Sequence, residues 1–450
     1  MKTELPNITL AVLLVITAIQ PLTAQSSLDD YVREGLKSNL VLQEKNASLE
    51  QAQASIQIAR NYFLPSVTAM IDYTSGDGGR SIAVPVGDLL NPVYASLNQL
   101  TQSDAFPQIQ NVNENFFPKN FYDAKIRTTL PIINSDLYIN KTIRTQQAIM
   151  EQQQIDLYKR QLVYEIKSAY YQYLTAKAAV SIYESAEKLV LKNKEINESL
   201  LRNGKALPAN VLRSQSEVER VKADLASARN REANARKYFN FLLNRELDTP
   251  IDSVSIDDDV VVNAESADVG HREELKLLQT VKELNNSSLK LSQYSRLPKV
   301  NAFLDLGSQA TDWQVNEQSR YYLVGVQLAV PLFQGFRTNL SVRQNKLEIE
   351  KTELRLQNTE RQLQLSADVA QNNLYTTIRN LDAAKEQIRS AQSYFNLVDK
   401  GYTEGVHTLI EFLDARNQLT TAQLQLNLRK YEMLTASAQV ERETASYSFQ

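Results

Sequence analysis

The stretch that decides the fold occurs twice, and each copy joins a Leu-Pro step to a run in which apolar residues alternate with mostly polar ones. The copies are Leu64-Pro65-Ser66-Val67-Thr68-Ala69-Met70-Ile71-Asp72-Tyr73 and Leu297-Pro298-Lys299-Val300-Asn301-Ala302-Phe303-Leu304-Asp305-Leu306. Alternation with a period of two predicts a β-strand that has one apolar face. The recurrence itself indicates that the chain contains two copies of one structural plan.

The repetition continues on both sides of these strands. A second alternating run ends at Leu130-Pro131-Ile132-Ile133 in the first half and at Val330-Pro331-Leu332-Phe333 in the second half. At nearly equal distances in sequence after Pro131 and Pro331, Asn203-Gly204 of the first half is matched by Glu404-Gly405 of the second half. Each half therefore predicts a helix, a strand, a loop, a second strand, a long helix, a glycine turn and another long helix.

We predict the domain boundaries from this plan. Residues 25–250 form the first repeat, with a strand hairpin at 64–131 and a helical hairpin at 132–247. Residues 251–450 form the second repeat, with a strand hairpin at 297–331 and a helical hairpin at 332–446. The first strand hairpin carries about 33 extra residues between Gly76 and Asn120, and their Pro, Asn and Gln content predicts an irregular exposed loop.

The long helices carry the spacing of a coiled coil. Apolar residues recur at alternating steps of four and three, and a set in the second half recurs every seven residues. The first set is Leu162, Ile166, Ala169, Tyr173, Ala176, Val180 and Tyr183, and the second is Leu374, Leu381, Ile388 and Phe395. The first long helix, over 135–202, would be on the order of 100 Å long.

The N-terminus predicts export. Residues 1–24 combine Lys2, a short apolar core over 8–19 and the cleavage-like sequence Leu22-Thr23-Ala24, which is typical of a signal peptide. An uncleaved anchor is the alternative. No later stretch of sequence reaches the roughly 18 apolar residues of a membrane helix.

The strands favour a membrane-spanning barrel. Each of the four runs has about ten residues, the length of a tilted strand that crosses a bilayer, and aromatic residues near the ends suit its interfaces. Those aromatic residues are Tyr73, Tyr122, Tyr321 and Tyr322. Four strands cannot close a barrel, which needs about eight, so copies of the chain would have to pool their strands. Two ordinary hairpins packed on helices are the alternative.

Composition argues against most catalytic and binding functions. The 450 residues include no Cys and only two His, and the net charge of −3 gives no electrostatic footprint for nucleic acid. We find no nucleophile with a base, no phosphate loop and no metal motif, and we therefore predict no enzyme activity, cofactor or metal. Asp257-Asp258-Asp259 is interpreted as a solvated charge run, because it lacks the glycine turn and spacing of a calcium loop.

The plan of the chain resembles the outer-membrane efflux proteins, the TolC-like outer membrane factors. The sharpest similarity is Gly405-Val406-His407-Thr408-Leu409-Ile410-Glu411-Phe412-Leu413-Asp414-Ala415, which resembles the family's second hairpin tip; the first tip, 201–211, is a weaker match. The resemblance implies a homotrimer with a 12-strand β-barrel in the outer membrane and a 12-helix barrel in the periplasm. It also implies that the tips at Gly204 and Gly405 dock a periplasmic adaptor (membrane fusion protein) linked to an inner-membrane pump.

The resemblance also implies a gate at the tips. Glu411 and Asp414 match acidic residues that ring the aperture, while Tyr402, His407, Ala209 and Asn210 match positions that tie neighbouring helices together. Asn210 stands where the family usually has Asp, and His407 where it usually has Arg. These two departures weaken the expectation of a charged lock and suggest a looser or pH-sensitive gate.

The spacing of the two acidic residues supports the gate independently of the resemblance, because Glu411 and Asp414 are three residues apart and share one helix face. Three copies of each would surround a narrow opening with up to six carboxylates. The alternative is that both are solvated surface acids.

For the whole chain, the best-supported function is a passive exit duct of a tripartite efflux or type I secretion system. The alternative is a secreted coiled-coil adhesin or structural rod.

Overall fold

The computed structural model describes residues 28–116, 119–252 and 269–449. These ranges contain α1 (Leu28–Ser38), α2 (Leu40–Asn61), β1 (Ser66–Thr74), β2 (Ser81–Val84), α3 (Val86–Thr101), β3 (Val112–Asn115), β4 (Phe121–Ile133), α4 (Ser135–Arg202), α5 (Pro208–Leu242), α6 (Glu273–Tyr294), β5 (Lys299–Thr311), β6 (Arg320–Ala329), α7 (Arg337–Thr403) and α8 (Leu409–Thr444). The predicted signal peptide and Asp257-Asp258-Asp259 lie outside the described residues.

The duplicated plan is confirmed in the element order. α4 has 68 residues and its counterpart α7 has 67, while α5 has 35 and its counterpart α8 has 36. The predicted extent of the first long helix, 135–202, coincides with α4. Few helix-breaking residues interrupt these segments, since Gly and Pro number only 12 each in the whole chain. Within the described ranges, no helix is both long enough and apolar enough to cross a membrane.

The described residues group into two compact units, and each unit draws on both halves of the chain. The hairpin unit takes its described residues from within Met1–Gln43, Tyr158–Val269 and Leu363–Gln450. The sheet unit takes its residues from Glu44–Leu157 and Gly270–Gln362. The predicted repeat boundaries follow the sequence rather than these units, and they stay predictions.

The sheet unit contains a four-stranded antiparallel sheet with the order β1-β4-β5-β6. The register places Ile126 opposite Leu306 and Thr128 opposite Leu304. Strands β1 and β6 are its edges, so the outer backbone groups of both have no partner strand in the described chain.

One face of this sheet is apolar and exposed, as the alternation predicts. Val67 and Ile71 on β1 are 67% and 71% exposed, and Val324 and Val326 on β6 are 68% and 66% exposed. A surface of this kind on a folded chain indicates contact with lipid or another protein.

The opposite face of the sheet is polar and internally paired. Arg127 donates two hydrogen bonds to Asp305, at 2.7 and 2.6 Å, across the β4–β5 pair. The hydroxyl of Tyr321 donates to Asp123 at 2.6 Å, and Lys125 pairs with the same carboxylate at 2.5 Å. The two faces therefore differ in chemistry as a strand between lipid and water requires.

The insertion between β1 and β4 is more ordered than the sequence analysis predicts. The prediction of an irregular loop over 76–120 is wrong, because these residues include β2, α3 and β3. β2 pairs with β3 in an antiparallel hairpin, and α3 lies between them in the chain. Pro92 sits inside α3, and Asn side chains fasten the helix to the following segment instead of marking turns.

The hairpin unit has an aromatic core that joins its short first helix to two long ones. Tyr31 of α1 packs against Phe239 of α5, with ring centroids 5.2 Å apart, and against Tyr170 of α4 at 5.9 Å. All three side chains are almost fully buried. Heptad residues Leu162, Ile166, Leu374 and Phe395 are buried as the coiled-coil spacing predicts.

Candidate gate at the tips of the helical hairpins

The two hairpin tips have the same backbone geometry. Gly204 follows the end of α4 and has a φ of +67°, and Gly405 follows the end of α7 and has a φ of +82°. The N–H of Lys205 donates to the carbonyl of Leu200 at 2.8 Å, and the N–H of Val406 donates to that of Gly401 at 2.7 Å. Both turns are helix C-terminal motifs that place Gly in the left-handed region.

The helices that leave these turns begin differently. α5 begins at Pro208, and no side chain caps it. α8 begins with a complete capping box, in which Glu411 accepts a hydrogen bond from the Thr408 N–H at 2.6 Å. The Glu411 N–H in turn donates to the Thr408 hydroxyl at 3.3 Å. Such a box fixes the first turn of the helix.

The capping box determines the state of Glu411. Hydrogen bonds from the Thr408 backbone and hydroxyl lower the pKa of the Glu411 carboxyl, and the nearby His407 adds to the shift. The His407 Nδ1 lies 3.4 Å from the Glu411 carboxylate, so the two form an ion pair when the imidazole is protonated. The same imidazole packs against Gly401, where an added Cβ would come within 2.3 Å of the ring.

Asp414 lies one turn further along α8 and is exposed. Its carboxylate accepts a hydrogen bond from the Gln418 amide at 2.7 Å. Glu411 is also exposed, so the structure places both predicted gate acids at the surface near the start of α8. The two acids differ, because Glu411 is bonded to its own helix terminus while Asp414 is bonded to the Gln418 side chain of the same helix.

Tyr402 belongs to a polar network that joins the two hairpins. Its hydroxyl donates to the Asn197 side chain of α4 at 3.2 Å, and its ring stacks on Phe412 of α8 at 5.0 Å. Asn197 donates to Asn193, and Asn193 accepts a further bond from the Ser214 hydroxyl of α5 at 3.2 Å. These contacts connect α7, α4 and α5 within a single chain.

The remaining predicted residues do not join this network. Ala209 is exposed and Asn210 is half-buried in the first turn of α5. The Asn210 N–H bonds to the Leu207 carbonyl at 3.0 Å, which is part of the helix start. The structure therefore brings Tyr402 into contact with another helix but places Ala209 and Asn210 at the tip of the first hairpin.

Sequence reasoning missed a buried ion pair close to both tips. Arg416 of α8 is 2% exposed, and its guanidinium contacts the Glu217 carboxylate of α5. Arg220 donates to the same carboxylate at 3.1 Å and to the Asn417 side chain at 2.5 Å. The heptad pattern gives no signal for this pair, because charged residues on a coiled coil usually face water.

Within the described residues, no group of three or more His, Asp or Glu side chains is arranged to hold a metal ion. The tips provide hydrogen bonds and ion pairs between helices, together with two exposed carboxylates.

Comparison with known proteins identifies this architecture. The sequence profile of the family described as "Outer membrane efflux protein" matches residues 32–245 and 271–445. The outer membrane protein TolC of Salmonella enteritidis is 21% identical over 94% of this chain and 82% of its own length. The alkaline protease secretion protein AprF of Pseudomonas aeruginosa is 20% identical over 71% of this chain and 69% of its own length.

Solved structures show the same fold. The outer-membrane channel OprN superposes with a TM-score of 0.72 at 15% identity, covering 93% of this chain and 89% of its own. The Campylobacter jejuni CmeC outer membrane channel superposes with a TM-score of 0.73 at 15% identity, covering 93% of this chain and 85% of its own. The chain therefore belongs to the outer membrane efflux protein family and is an outer-membrane channel protein of efflux or secretion.

Proposed function

We propose that three copies of the chain form a passive exit duct that crosses the outer membrane and continues into the periplasm. The observation that carries this proposal is the four-stranded sheet, which has two unpaired edges and an exposed apolar face. Unpaired backbone groups are not tolerated in hydrocarbon, so β1 of one copy pairs with β6 of the next. Three copies give 12 strands, which exceeds the number that a closed barrel needs.

The chemistry of the two sheet faces supports this arrangement. The exposed apolar residues of β1 and β6 face lipid, and the polar face that carries Arg127, Asp305 and Asp123 lines a water-filled interior. Arg127 pairs with Asp305, and Asp123 pairs with Lys125 of the same chain. These charged groups therefore keep a counter-charge when the polar face lines the interior.

We propose further that the two tips dock a periplasmic adaptor coupled to an inner-membrane pump. The matched turns at Gly204 and Gly405 support this, because each presents a short surface of fixed conformation at the end of a long hairpin. The relative named for alkaline protease secretion and the efflux-family profile point to the two kinds of system that use such a duct. The nature of the cargo is then set by the pump.

The tips also form the gate in this proposal. In each copy the Tyr402–Asn197 bond and the Arg416–Glu217 pair hold the second hairpin against the first. Glu411 and Asp414 lie exposed near the start of α8, and the three-fold axis would bring three copies of each together. Such a ring attracts cations and repels anions.

Reconstitution into planar lipid bilayers tests the proposed duct. We expect discrete conductance steps from the purified outer-membrane form, and association with an adaptor from the same cell when the two are extracted together. Protein that stays in the soluble fraction and gives no conductance would instead support the secreted rod.

A further inference from the structure

The helix α3 presents an apolar stripe that its own chain leaves uncovered. Leu89, Val93 and Leu100 are 68%, 51% and 81% exposed. Their spacing of four and seven residues places them on one face of the helix. This face is separate from the gate and from the apolar face of the four-stranded sheet.

The opposite face of α3 is fastened to the segment that follows it. Asn91 donates to the Ile109 carbonyl and accepts from the Ile109 N–H, both at 2.9 Å. Asn98 makes the same pair of bonds with Phe106, at 2.8 and 3.1 Å. Two amide side chains thus hold the helix in a fixed orientation, and the apolar stripe cannot turn inward.

The start of α3 is fixed as well. The Asn111 side chain accepts hydrogen bonds from the N–H groups of Gly87 and Asp88, at 2.9 and 3.0 Å. Gly87 lies so close to the Ile109 carbonyl that an added Cβ would come within 2.4 Å of its oxygen. The stripe is therefore a preorganised surface, which lowers the cost of binding a partner.

The charge of the insertion disfavours a lipid surface as that partner. The insertion, residues 76–120, carries four acidic residues and two basic ones, Arg80 and Lys119, and α3 itself contains Asp88 but no Lys or Arg. Helices that lie on membranes have basic residues on their polar face, which contact anionic headgroups. An acidic segment lacks this attraction.

The position of the insertion favours a second copy of this chain. The insertion connects β1 to β4, and β1 is an edge of the sheet. The loop between β5 and β6 lies at the same end, because Trp313 stacks on Tyr73 and Tyr122, with ring centroids 5.7 and 5.0 Å apart. In the proposed trimer β1 pairs with β6 of the next copy, so the insertion borders that copy's β5–β6 loop, where Val315 is 69% exposed.

We propose that the apolar stripe of α3 packs against the neighbouring copy and stabilises the trimer beyond the ends of its strands. This inference rests on the proposed trimer. It assigns to the insertion of the first half a contact between subunits, made with the shorter β5–β6 loop of the next copy. The contact is heterologous, as a cyclic assembly requires.

Photo-crosslinking in isolated outer membranes tests this contact. The photoreactive residue p-benzoylphenylalanine replaces Leu89 or Leu100 in the stripe, and Ala95, which is exposed on another face of α3, serves as the matched control. We expect covalent dimers of this chain from Leu89 and Leu100 after illumination, and none from Ala95. Adducts with lipid or with another protein, equal dimer yields at all three positions, or no adduct would each overturn the inference.

The mass of the same preparation in detergent separates this inference from the proposed function. A trimeric mass without dimers from Leu89 or Leu100 overturns only the contact of α3. A monomeric mass overturns the trimer and the contact together.

Discussion

Glu411 shows how one carboxylate at the tip is held by its own helix terminus. Its carboxylate accepts from the Thr408 N–H at 2.6 Å and lies 3.4 Å from His407. Each of these interactions favours the charged form, which is the form that a cation-attracting ring requires. The cap and the proposed gate therefore depend on the same ionisation.

The pKa shift of Glu411 predicts how the start of α8 responds to acid. Because the folded-state pKa is lowered below the ordinary value of 4.5, its stabilisation is fully present above pH 4.5 and is lost as pH falls through the lowered pKa. We expect faster hydrogen exchange at the first-turn amides of α8 in that range. At neutral pH, Thr408→Val should reproduce this fraying and cost about 0.5–2 kcal/mol, whereas Thr408→Ser should not.

Exchange measured by mass spectrometry over peptides that begin near Thr408 provides the test. Unchanged protection in Thr408→Val, together with no acid effect, would show that the capping box does not hold the helix terminus in solution.

The buried pair of Arg416 and Glu217 should be sensitive to the loss of one partner. Glu217→Leu leaves a guanidinium buried without its carboxylate, which costs about 3–5 kcal/mol, while the double change Glu217→Leu with Arg416→Met restores most of that loss. The exposed neighbour Glu219→Leu is the control and should change stability by less than about 0.5 kcal/mol. Unfolding followed by circular dichroism measures all three. Equal effects of the Glu217 and Glu219 variants would contradict the pairing.

The sequence predicts some of these residues and not others. Motif resemblance locates Tyr402, His407, Glu411 and Asp414, because they lie in a short segment with a recognisable pattern. The resemblance does not identify Arg416 and Glu217, because these two residues lie on different helices and are 199 residues apart in the sequence. Periodicity identifies apolar seams but does not reveal which charged residues a second hairpin covers. The roles of the gate residues and of the docking tips stay predictions.

The glycine turns at the two tips depend on a backbone conformation that other residues rarely adopt. Nothing lies within 4 Å of a Cβ added at Gly405, so the strain of a substitution comes from its φ of +82° rather than from crowding. We expect Gly405→Trp to impair export, because it distorts the docking tip, while the trimer still assembles. Gly78→Trp is the matched control, since Gly78 has a φ of +80° and equally open surroundings but lies in the insertion.

Export assayed in cells that lack the wild-type chain compares the two variants, with the trimer checked in each. Normal export by Gly405→Trp would exclude the second tip as an essential docking surface.

The elements also show where sequence patterns succeed and where they fail. The four strands and the long helices follow from periods of two and seven, because apolar residues recur on one face of each. The insertion was mispredicted because Pro and Asn usually break structure, whereas here Asn91, Asn98 and Asn111 bond the backbone of a neighbouring segment. Such contacts depend on tertiary structure, which local composition does not record.

In the assembled channel, the acidic residues at the tips should make conduction selective for cations. If Glu411 and Asp414 line the narrowest point, conductance should favour cations, and multivalent cations should block it by bridging carboxylates. The double change Glu411→Gln with Asp414→Asn should weaken both effects while barrel assembly is unchanged.

Reversal potentials in planar bilayers under a salt gradient measure this selectivity. A double variant that keeps the parent's cation preference and multivalent block would show that these carboxylates are solvated surface charges, with the constriction elsewhere.

In the proposed duct, a chain with four strands becomes a channel only by sharing its sheet edges with other copies. The mass of the complex purified from outer membranes in detergent, by native mass spectrometry or light scattering with the detergent subtracted, tests this sharing. We expect three times the mass of one chain, and a monodisperse monomer would show that the sheet edges are not shared.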